Sequence, residues 1–207
     1  MHKITLFFAN LAMAVLVVGL AHSAMAGSTT VEEMLADRVL GDADAPITIV
    51  EYSSLTCPHC ADFHTNTLPK LKANYLDTGK AKLVYRDFPL GQDGRSIIAA
   101  MLARCAPPDR YFGFLDVLFR SQLNWARASD PFAALSQIGQ LGGISAEDFD
   151  ACMKNEALFN GIVKAKDDAA AEVGIASTPT FIINGLRRIE GSQPYENFEA
   201  VLQELAP

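Results

Sequence analysis

The sequence is poor in the residues that bind metal ions or cross-link small proteins. It has four cysteines and four histidines among 207 residues. Small disulfide-rich domains replace a hydrophobic core with many bridges, whereas this chain is 50% hydrophobic and long enough to bury a core of its own. We therefore expect one globular domain, or one domain with a sizeable insertion.

Basic residues are scarce relative to acidic ones. The chain has 17 Lys and Arg against 24 Asp and Glu, which gives a formal net charge of -7. Nucleic acids and anionic membrane surfaces attract proteins with clustered positive charge, so neither is an expected partner. The sequence also shows no internal repeat and no low-complexity segment.

The one long hydrophobic run lies at the N-terminus. It begins after Lys3, continues to about Leu20, and is followed by Ala24-Met25-Ala26. This pattern is typical of a secretory signal peptide, residues 1–26, with a small-residue cleavage site. The alternative is an uncleaved membrane anchor, because the run is close to the length that spans a bilayer. Export would place the protein where disulfides persist.

The next part of the chain alternates strands and helices. Residues 27–44 form an acidic arm that ends in a turn, and "ITIVEYSS" (47–54) predicts a buried strand. A helix is expected from Pro58 to about Tyr75, and "KAKLVYRDFPL" (80–90) predicts a second strand.

The pattern then changes to helices. Residues 94–173 predict an insertion of about four or five helices, with helix-start signals at Asp130-Pro131 and at Ser145. In residues 174–207, two strands flank Asn184-Gly185, a dipeptide that favours a tight hairpin turn, and an amphipathic helix follows. The predicted fold class is α/β, with one domain (45–93 and 174–207) interrupted by the all-helical insertion.

The pair Cys57 and Cys60 in "LTCPHCADFH" can be a metal site, a structural bridge or a reactive pair. Structural zinc sites use four ligands, and beyond residue 26 only His59 and His64 could join the cysteines, so no metal is expected. Haem attachment would need a histidine where Ala61 stands. A bridge across so short a loop restricts the unfolded chain little, which makes it a poor stabiliser.

The surroundings of the pair favour reactivity. Pro58 is a suitable first residue for a helix, so Cys57 would lie where unpaired backbone N–H groups and the positive end of the helix dipole stabilise a thiolate. His59 can add a positive charge or an N–H donor near the same sulfur. A lowered thiol pKa favours the reduced form and makes the disulfide more oxidising.

These residues carry a resemblance to a known family. "APITIVEYSSLTCPHCADFH", the later "STPTFIING" and the helical insertion between them resemble the DsbA family of periplasmic thiol-disulfide oxidoreductases. The resemblance covers the chain after the signal peptide and implies a thioredoxin fold with an inserted helical domain. It also implies that Cys57 is an exposed nucleophile and Cys60 a buried resolving cysteine.

The resemblance extends to three further residues. It implies that Pro179 follows a cis peptide bond against the two sulfurs, and that Thr178 offers backbone hydrogen bonds to a bound peptide; an ordinary trans proline is the alternative. Glu51 would be a partly buried acid that helps to move the proton of Cys60, unless its side chain faces outward. His64 is expected at the surface and receives no role.

Two cysteines remain outside the pair. Cys105 and Cys152 lie on the apolar faces of predicted insertion helices, and they are either bridged or two buried free thiols. An oxidising compartment favours the bridge, and some DsbA-like proteins carry such a structural disulfide.

The expected function is that of a periplasmic dithiol oxidase without a cofactor. It would donate the Cys57–Cys60 disulfide to unfolded or reduced exported polypeptides, and a membrane oxidase of the DsbB type would reoxidise it. A monomer is expected, because only about 19 residues precede Pro46 after the cleavage site, too few for an oligomerisation domain. The alternatives are a disulfide isomerase or reductase of the same fold, and a redox-inert holdase that binds peptides.

Overall fold

A computed structural model describes residues 29–91 and 94–206. The predicted signal peptide, residues 1–26, lies outside these residues. Within the described ranges, no helix has both the length and the apolar character needed to cross a bilayer.

A mixed sheet with the strand order β1-β3-β2-β4-β5 forms the centre of the protein. β2 and β3 run parallel, and the other neighbouring strands are antiparallel. The strands are β1 (Arg38–Gly41), β2 (Ile47–Ser53), β3 (Ala81–Asp87), β4 (Thr180–Ile183) and β5 (Arg187–Glu190). β4 and β5 form the predicted hairpin, in which Asn184 and Gly185 have φ values of 49° and 69°.

Helices cover the sheet. Between α2 and β3 the helical run contains two π-helical segments, Phe63–Thr67 and Lys72–Leu76, and a short 3-10 turn, Pro108–Arg110, precedes α5. The α-helices are α1 (Val31–Leu35), α2 (Pro58–Asp62), α3 (Leu68–Leu71), α4 (Arg95–Cys105), α5 (Tyr111–Arg120), α6 (Gln122–Ala126), α7 (Pro131–Leu141), α8 (Ala146–Met153), α9 (Glu156–Glu172) and α10 (Tyr195–Glu204).

The helix predicted from Pro58 to about Tyr75 therefore exists, but its hydrogen bonding changes along its length. The N–H of Leu68 bonds to the carbonyl of Phe63, five residues back. Pro69 follows and has no N–H to donate, and in a regular α-helix its ring would collide with a carbonyl of the preceding turn. The wider π-helical turn accommodates this proline.

The insertion contains six α-helices, one more than the upper expectation. Its predicted helix starts are present, because Asp130 accepts a hydrogen bond from the N–H of Ala133 and Ser145 accepts one from the N–H of Asp148. The additional helix is α6, which separates from α5 at Ser121.

The residues expected to form only an acidic arm also contribute to the sheet. β1 pairs antiparallel with β3, with Arg38 opposite Tyr85 and Gly41 opposite Lys82. Gly41 has a φ of 100°, and a Cβ atom there would lie 3.1 Å from the carbonyl oxygen of Ala81. Glycine is thus required where the chain leaves this edge strand.

A buried ion pair fastens the insertion to the rest of the protein. Nε of Arg104, on α4, lies 2.7 Å from a carboxylate oxygen of Asp87 at the end of β3, and each side chain is 5% exposed. Nη1 of Arg104 donates to the backbone carbonyls of Met34 and Ala36. One guanidinium therefore connects the N-terminal segment, the sheet and the insertion.

We predict that Arg104→Leu destabilises the protein by about 3 to 5 kcal/mol, because it leaves the Asp87 carboxylate buried without its cation. Urea unfolding of the oxidised protein measures the change. The control is Arg120→Leu, which removes an exposed pair with Asp116 and should leave the urea midpoint almost unchanged. Equal losses in both variants would contradict the prediction.

Candidate active site

The Cys-x-x-Cys pair lies just beyond the carboxyl end of the central strand β2. Cys57 has an extended backbone, with φ −80° and ψ 120°, and is the N-cap residue of α2, while Pro58 occupies the first turn as predicted. The N–H of Cys57 bonds to the carbonyl of Ser54, and the N–H of Cys60 bonds to the carbonyl of Cys57. The turn between strand and helix therefore fixes both sulfurs in place.

The two cysteines differ less in exposure than the resemblance implied. Cys60 is fully buried, as expected, but Cys57 is only 7% exposed. The expectation of an exposed Cys57 was wrong, because the insertion and the loop before β4 pack around it. A groove beside Cys57 still connects this residue to solvent.

The surroundings of Cys57 stabilise its thiolate. A hydrogen bond from the Cys60 thiol makes the largest contribution and lowers the pKa of Cys57 to about 5, against the opposing effect of burial. The Thr178 side chain and the backbone N–H groups of Cys60 and His59 lower it further. His59 thus contributes a backbone N–H to the sulfur, and its ring is exposed to solvent.

Cys60 has the opposite tendency. Burial raises the pKa of its thiol far above the ordinary value, and the hydrogen bond to Cys57, the charge of Cys57 and the charge of Glu51 raise it further. In the reduced protein, Cys57 is therefore the thiolate and Cys60 the thiol at neutral pH.

The segment before β4 faces the Cys57 sulfur. The Thr178-Pro179 peptide bond is cis, and Sγ of Cys57 lies 3.3 Å from the carbonyl oxygen of Thr178, to which the thiol can donate. The Thr178 hydroxyl is buried and has no hydrogen-bond partner among the described residues. It is available to donate to the sulfur once Cys57 is a thiolate.

A buried acid and a buried histidine lie beneath the pair. Glu51 is completely buried, and both of its carboxylate oxygens lie near Nε2 of His64, at 3.0 and 3.1 Å. The outward-facing alternative for Glu51 is therefore wrong. The expectation for His64 was also wrong, because this residue is 4% exposed.

The sequence contained a signal for both residues. Glu51 follows Ile47 and Ile49 at intervals of two, which places it on the same face of β2 as these core residues. His64 follows Cys60 by four residues, a spacing that places both on one side of a helix.

The groove beside Cys57 has a volume of about 620 Å³ and a mostly apolar wall. The insertion contributes much of this wall, including Leu123, which is 58% exposed. Nε2 of Gln122 donates to the backbone carbonyls of Leu55 and Cys57, at 2.8 and 2.9 Å. Gln122 therefore ties α6 to the active-site turn, a contact between distant segments that no local pattern indicated. Other wall residues are Pro58, Leu90, Arg95, Ala126 and Arg127.

The remaining cysteines form a disulfide. Cys105, at the end of α4, is bonded to Cys152 of α8, and their Cα atoms lie 6.2 Å apart. No group of three or more histidine, cysteine or acidic side chains that could hold a metal ion occurs in the described ranges.

Comparisons with known proteins agree with this geometry. A family model described as thioredoxin matches residues 33–204. A putative protein-disulfide oxidoreductase of Rickettsia bellii is 33% identical over 152 residues, which are 73% of this chain and 58% of that protein. A similar protein of Rickettsia conorii is 36% identical over 73% of this chain and 54% of its own length. The chain thus spans little more than half the length of these curated relatives.

Solved structures match over more of their length. The crystal structure of alpha-DsbA1 from Wolbachia pipientis is 35% identical, with a TM-score of 0.75 over 82% of this chain and 90% of that one. BdbD from Bacillus subtilis matches with a TM-score of 0.73 over 82% of this chain and 92% of that one, but at 23% identity it supports the fold alone. The predicted thioredoxin fold with an inserted helical domain is confirmed.

We predict that thiolate absorbance of the reduced protein titrates with a midpoint at pH about 5, and that Thr178→Val raises this midpoint by about one unit by removing a donor to the thiolate. Because the pKa is lower in the folded state, the thiolate stabilises the reduced protein above the unfolded pKa of about 8.5, and this stabilisation is lost as the pH falls to about 5. The oxidised protein, which has no Cys57 thiol, is the control. A midpoint near 9 would contradict the prediction.

Proposed function

Because the chain belongs to the DsbA-like thiol-disulfide oxidoreductases of the thioredoxin family, we propose that it is a dithiol oxidase. It donates the Cys57–Cys60 disulfide to pairs of cysteines in other proteins. The observation that carries this proposal is that the pKa of Cys57 is lowered and the pKa of Cys60 is raised. The reduced form therefore has one stabilised thiolate and one buried thiol.

The lowered pKa of Cys57 gives the direction of the reaction. A pKa of about 5 stabilises the thiolate at pH 7 by about 3 kcal/mol relative to an ordinary thiol. For a two-electron couple this corresponds to about 60 mV in favour of the reduced form. A disulfide whose reduced form is stabilised in this way oxidises other thiols readily.

The reaction has two exchange steps. A substrate thiolate attacks Sγ of Cys57, the Cys57–Cys60 bond breaks, and Cys60 leaves and takes up a proton, with Glu51 as the nearby acid. A second substrate thiolate then attacks the substrate sulfur of the mixed disulfide, and Cys57 leaves as a stabilised thiolate. The substrate loses two electrons, which the Cys57–Cys60 pair gains.

Substrate recognition takes place beside the nucleophile. Thr178 and Pro179 present backbone groups next to the Cys57 sulfur, where an extended peptide can add as a strand. Main-chain recognition tolerates many sequences, and the apolar groove accepts side chains that are exposed in unfolded proteins.

The cellular setting in this proposal is the periplasm, reached through the signal peptide of residues 1–26. The substrates are reduced, exported polypeptides, and a membrane oxidase of the DsbB type restores the disulfide. The protein acts as a monomer, needs no cofactor and binds no nucleic acid.

We predict that the oxidised protein oxidises reduced ribonuclease stoichiometrically and has a more oxidising potential in glutathione buffers than thioredoxin, about −270 mV. Cys57→Ser should abolish activity. In Cys60→Ser, the Cys57 thiolate can still attack oxidised glutathione and release one glutathione thiolate, so this variant should accumulate the mixed disulfide of Cys57 with glutathione. The Cys105→Ala/Cys152→Ala variant, which lacks only the other pair, should remain active. A thioredoxin-like potential with rapid insulin reduction would indicate a reductase. Repair of scrambled ribonuclease would indicate an isomerase, and absence of all turnover would indicate a holdase. Each of these results would refute the oxidase.

A second prediction tests the groove. Leu123→Asp should lower kcat/KM for reduced ribonuclease by about fivefold to twentyfold, because a charged group replaces exposed apolar surface where the polypeptide docks. Reduction of the enzyme by glutathione should change less than twofold. Leu141→Asp, at a 91% exposed leucine on α7, is the matched control and should alter neither rate. If Leu123→Asp slows the reactions with ribonuclease and with glutathione equally, docking in the groove is contradicted.

A further inference from the structure

Glu51 depends on a single partner. Its carboxylate is fully buried, and among the described residues Nε2 of His64 is the one hydrogen-bonding group that reaches it, at 3.0 and 3.1 Å. A buried carboxylate has lost its hydration, so each remaining hydrogen bond has a large influence on it. The contact with His64 therefore fixes where the Glu51 carboxylate lies.

The position of His64 is itself fixed by packing. The residue lies in the π-helical segment Phe63–Thr67, and its ring stacks on Phe119 of α5, with centroids 4.0 Å apart and planes 24° apart. The ring of Tyr85, on β3, contacts it edge-on at 5.9 Å. Because α5 belongs to the insertion, packing against the insertion orients Nε2 of His64 toward Glu51 on the central strand.

Few other titratable or charged groups face this pair. Cys60 on α2 interacts electrostatically with Glu51, and so do the buried Tyr85 of β3 and Tyr111 of α5. Burial raises the pKa of both tyrosines well above its ordinary value, so they stay neutral. Asp87 and Arg104 lie beyond the tyrosines and neutralise one another. Cys60 is therefore the group whose proton Glu51 can exchange.

We propose that His64 is a positioning residue for the Cys60 half of the reaction: its Nε2–H orients the Glu51 carboxylate beside Cys60. This inference rests on the proposed function, in which Cys60 gains and loses a proton. When the disulfide closes, Cys60 gives its proton to Glu51 and its sulfur displaces the leaving thiolate from Cys57. When the disulfide opens, the proton returns from Glu51 to the departing Cys60 sulfur.

The test separates the two cysteines within one kinetic trace. The reduced protein reacts with the aromatic disulfide DTNB, and the Cys57 thiolate displaces a first coloured nitrothiobenzoate. Cys60 then loses its proton, attacks Sγ of Cys57 and displaces a second nitrothiobenzoate as the Cys57–Cys60 disulfide forms. The first phase reports the reactivity of Cys57, and the second phase reports deprotonation and attack by Cys60.

The variants distinguish the hydrogen bond from the ring packing. His64→Phe keeps the stack on Phe119 but has no donor, and it should slow the second phase about tenfold to hundredfold while the first changes less than twofold. His64→Gln places an amide donor near Nε2 and should stay within about fivefold of the unmodified protein. The second phase of His64→Phe should rise steeply from about pH 6 to 8, since hydroxide must replace Glu51 as the base.

A double-mutant cycle tests the route through Glu51. Glu51→Gln should slow the second phase as much as His64→Phe, and the double variant should be no slower than either. If the rate losses of the two single variants multiply in the double variant, the proposal is overturned. So would an unchanged second phase in His64→Phe, or a His64→Gln variant as slow as His64→Phe.

Failure of the proposed function gives a different result. If Cys57 is not the nucleophile, the first phase of the unmodified protein is slow, and if the protein is not an oxidase, ribonuclease is not oxidised. Should His64→Phe not fold, ¹⁵N-histidine spectra of the unmodified protein provide the test. We expect His64 to carry its proton on Nε2. An Nε2 without a proton would overturn the proposal.

Discussion

The hydrogen bond between the two sulfurs of the Cys-x-x-Cys pair is the interaction on which the rest of the site depends. It is the largest cause of the lowered pKa of Cys57, and it adds to burial, which is the largest cause of the raised pKa of Cys60. Two residues of the same type therefore differ in protonation. The bond requires that one cysteine occupy the N-cap position of a helix while the other is buried one turn later. The strand β2, the tight turn after it and Pro58 provide this geometry. The Thr178 side chain helps to lower the pKa of Cys57.

The helical insertion contributes residues to the active site. Gln122 binds two carbonyls of the active-site turn, Leu123 lines the groove, and Phe119 supports His64. All three residues lie within α5 and α6, on either side of Ser121. The break at Ser121 therefore has a structural result: it allows α6 to approach the Cys57 turn separately from α5.

Local sequence patterns predicted much of the framework, because strands, caps and turns depend on neighbouring residues. The helix start at Pro58, the caps at Asp130 and Ser145 and the hairpin at Asn184 are examples. Features that join distant segments were harder to predict. β1 was missed because four residues at a sheet edge carry little alternation, and His64 was misplaced because its burial comes from a helix of the insertion about 55 residues later in the chain.

The edge strand β5 has a consequence for the proposed function, in which the substrates are unfolded chains. It is four residues long and carries Arg187, Arg188 and Glu190, with Arg187 paired to Glu204 and Arg188 paired to Glu190. Short, charged edge strands resist the addition of a further strand. An extended polypeptide that can pair its backbone with any open edge is thus discouraged from this one. In the proposed function, extended substrates are thereby directed to the groove beside Cys57 and not to this sheet edge.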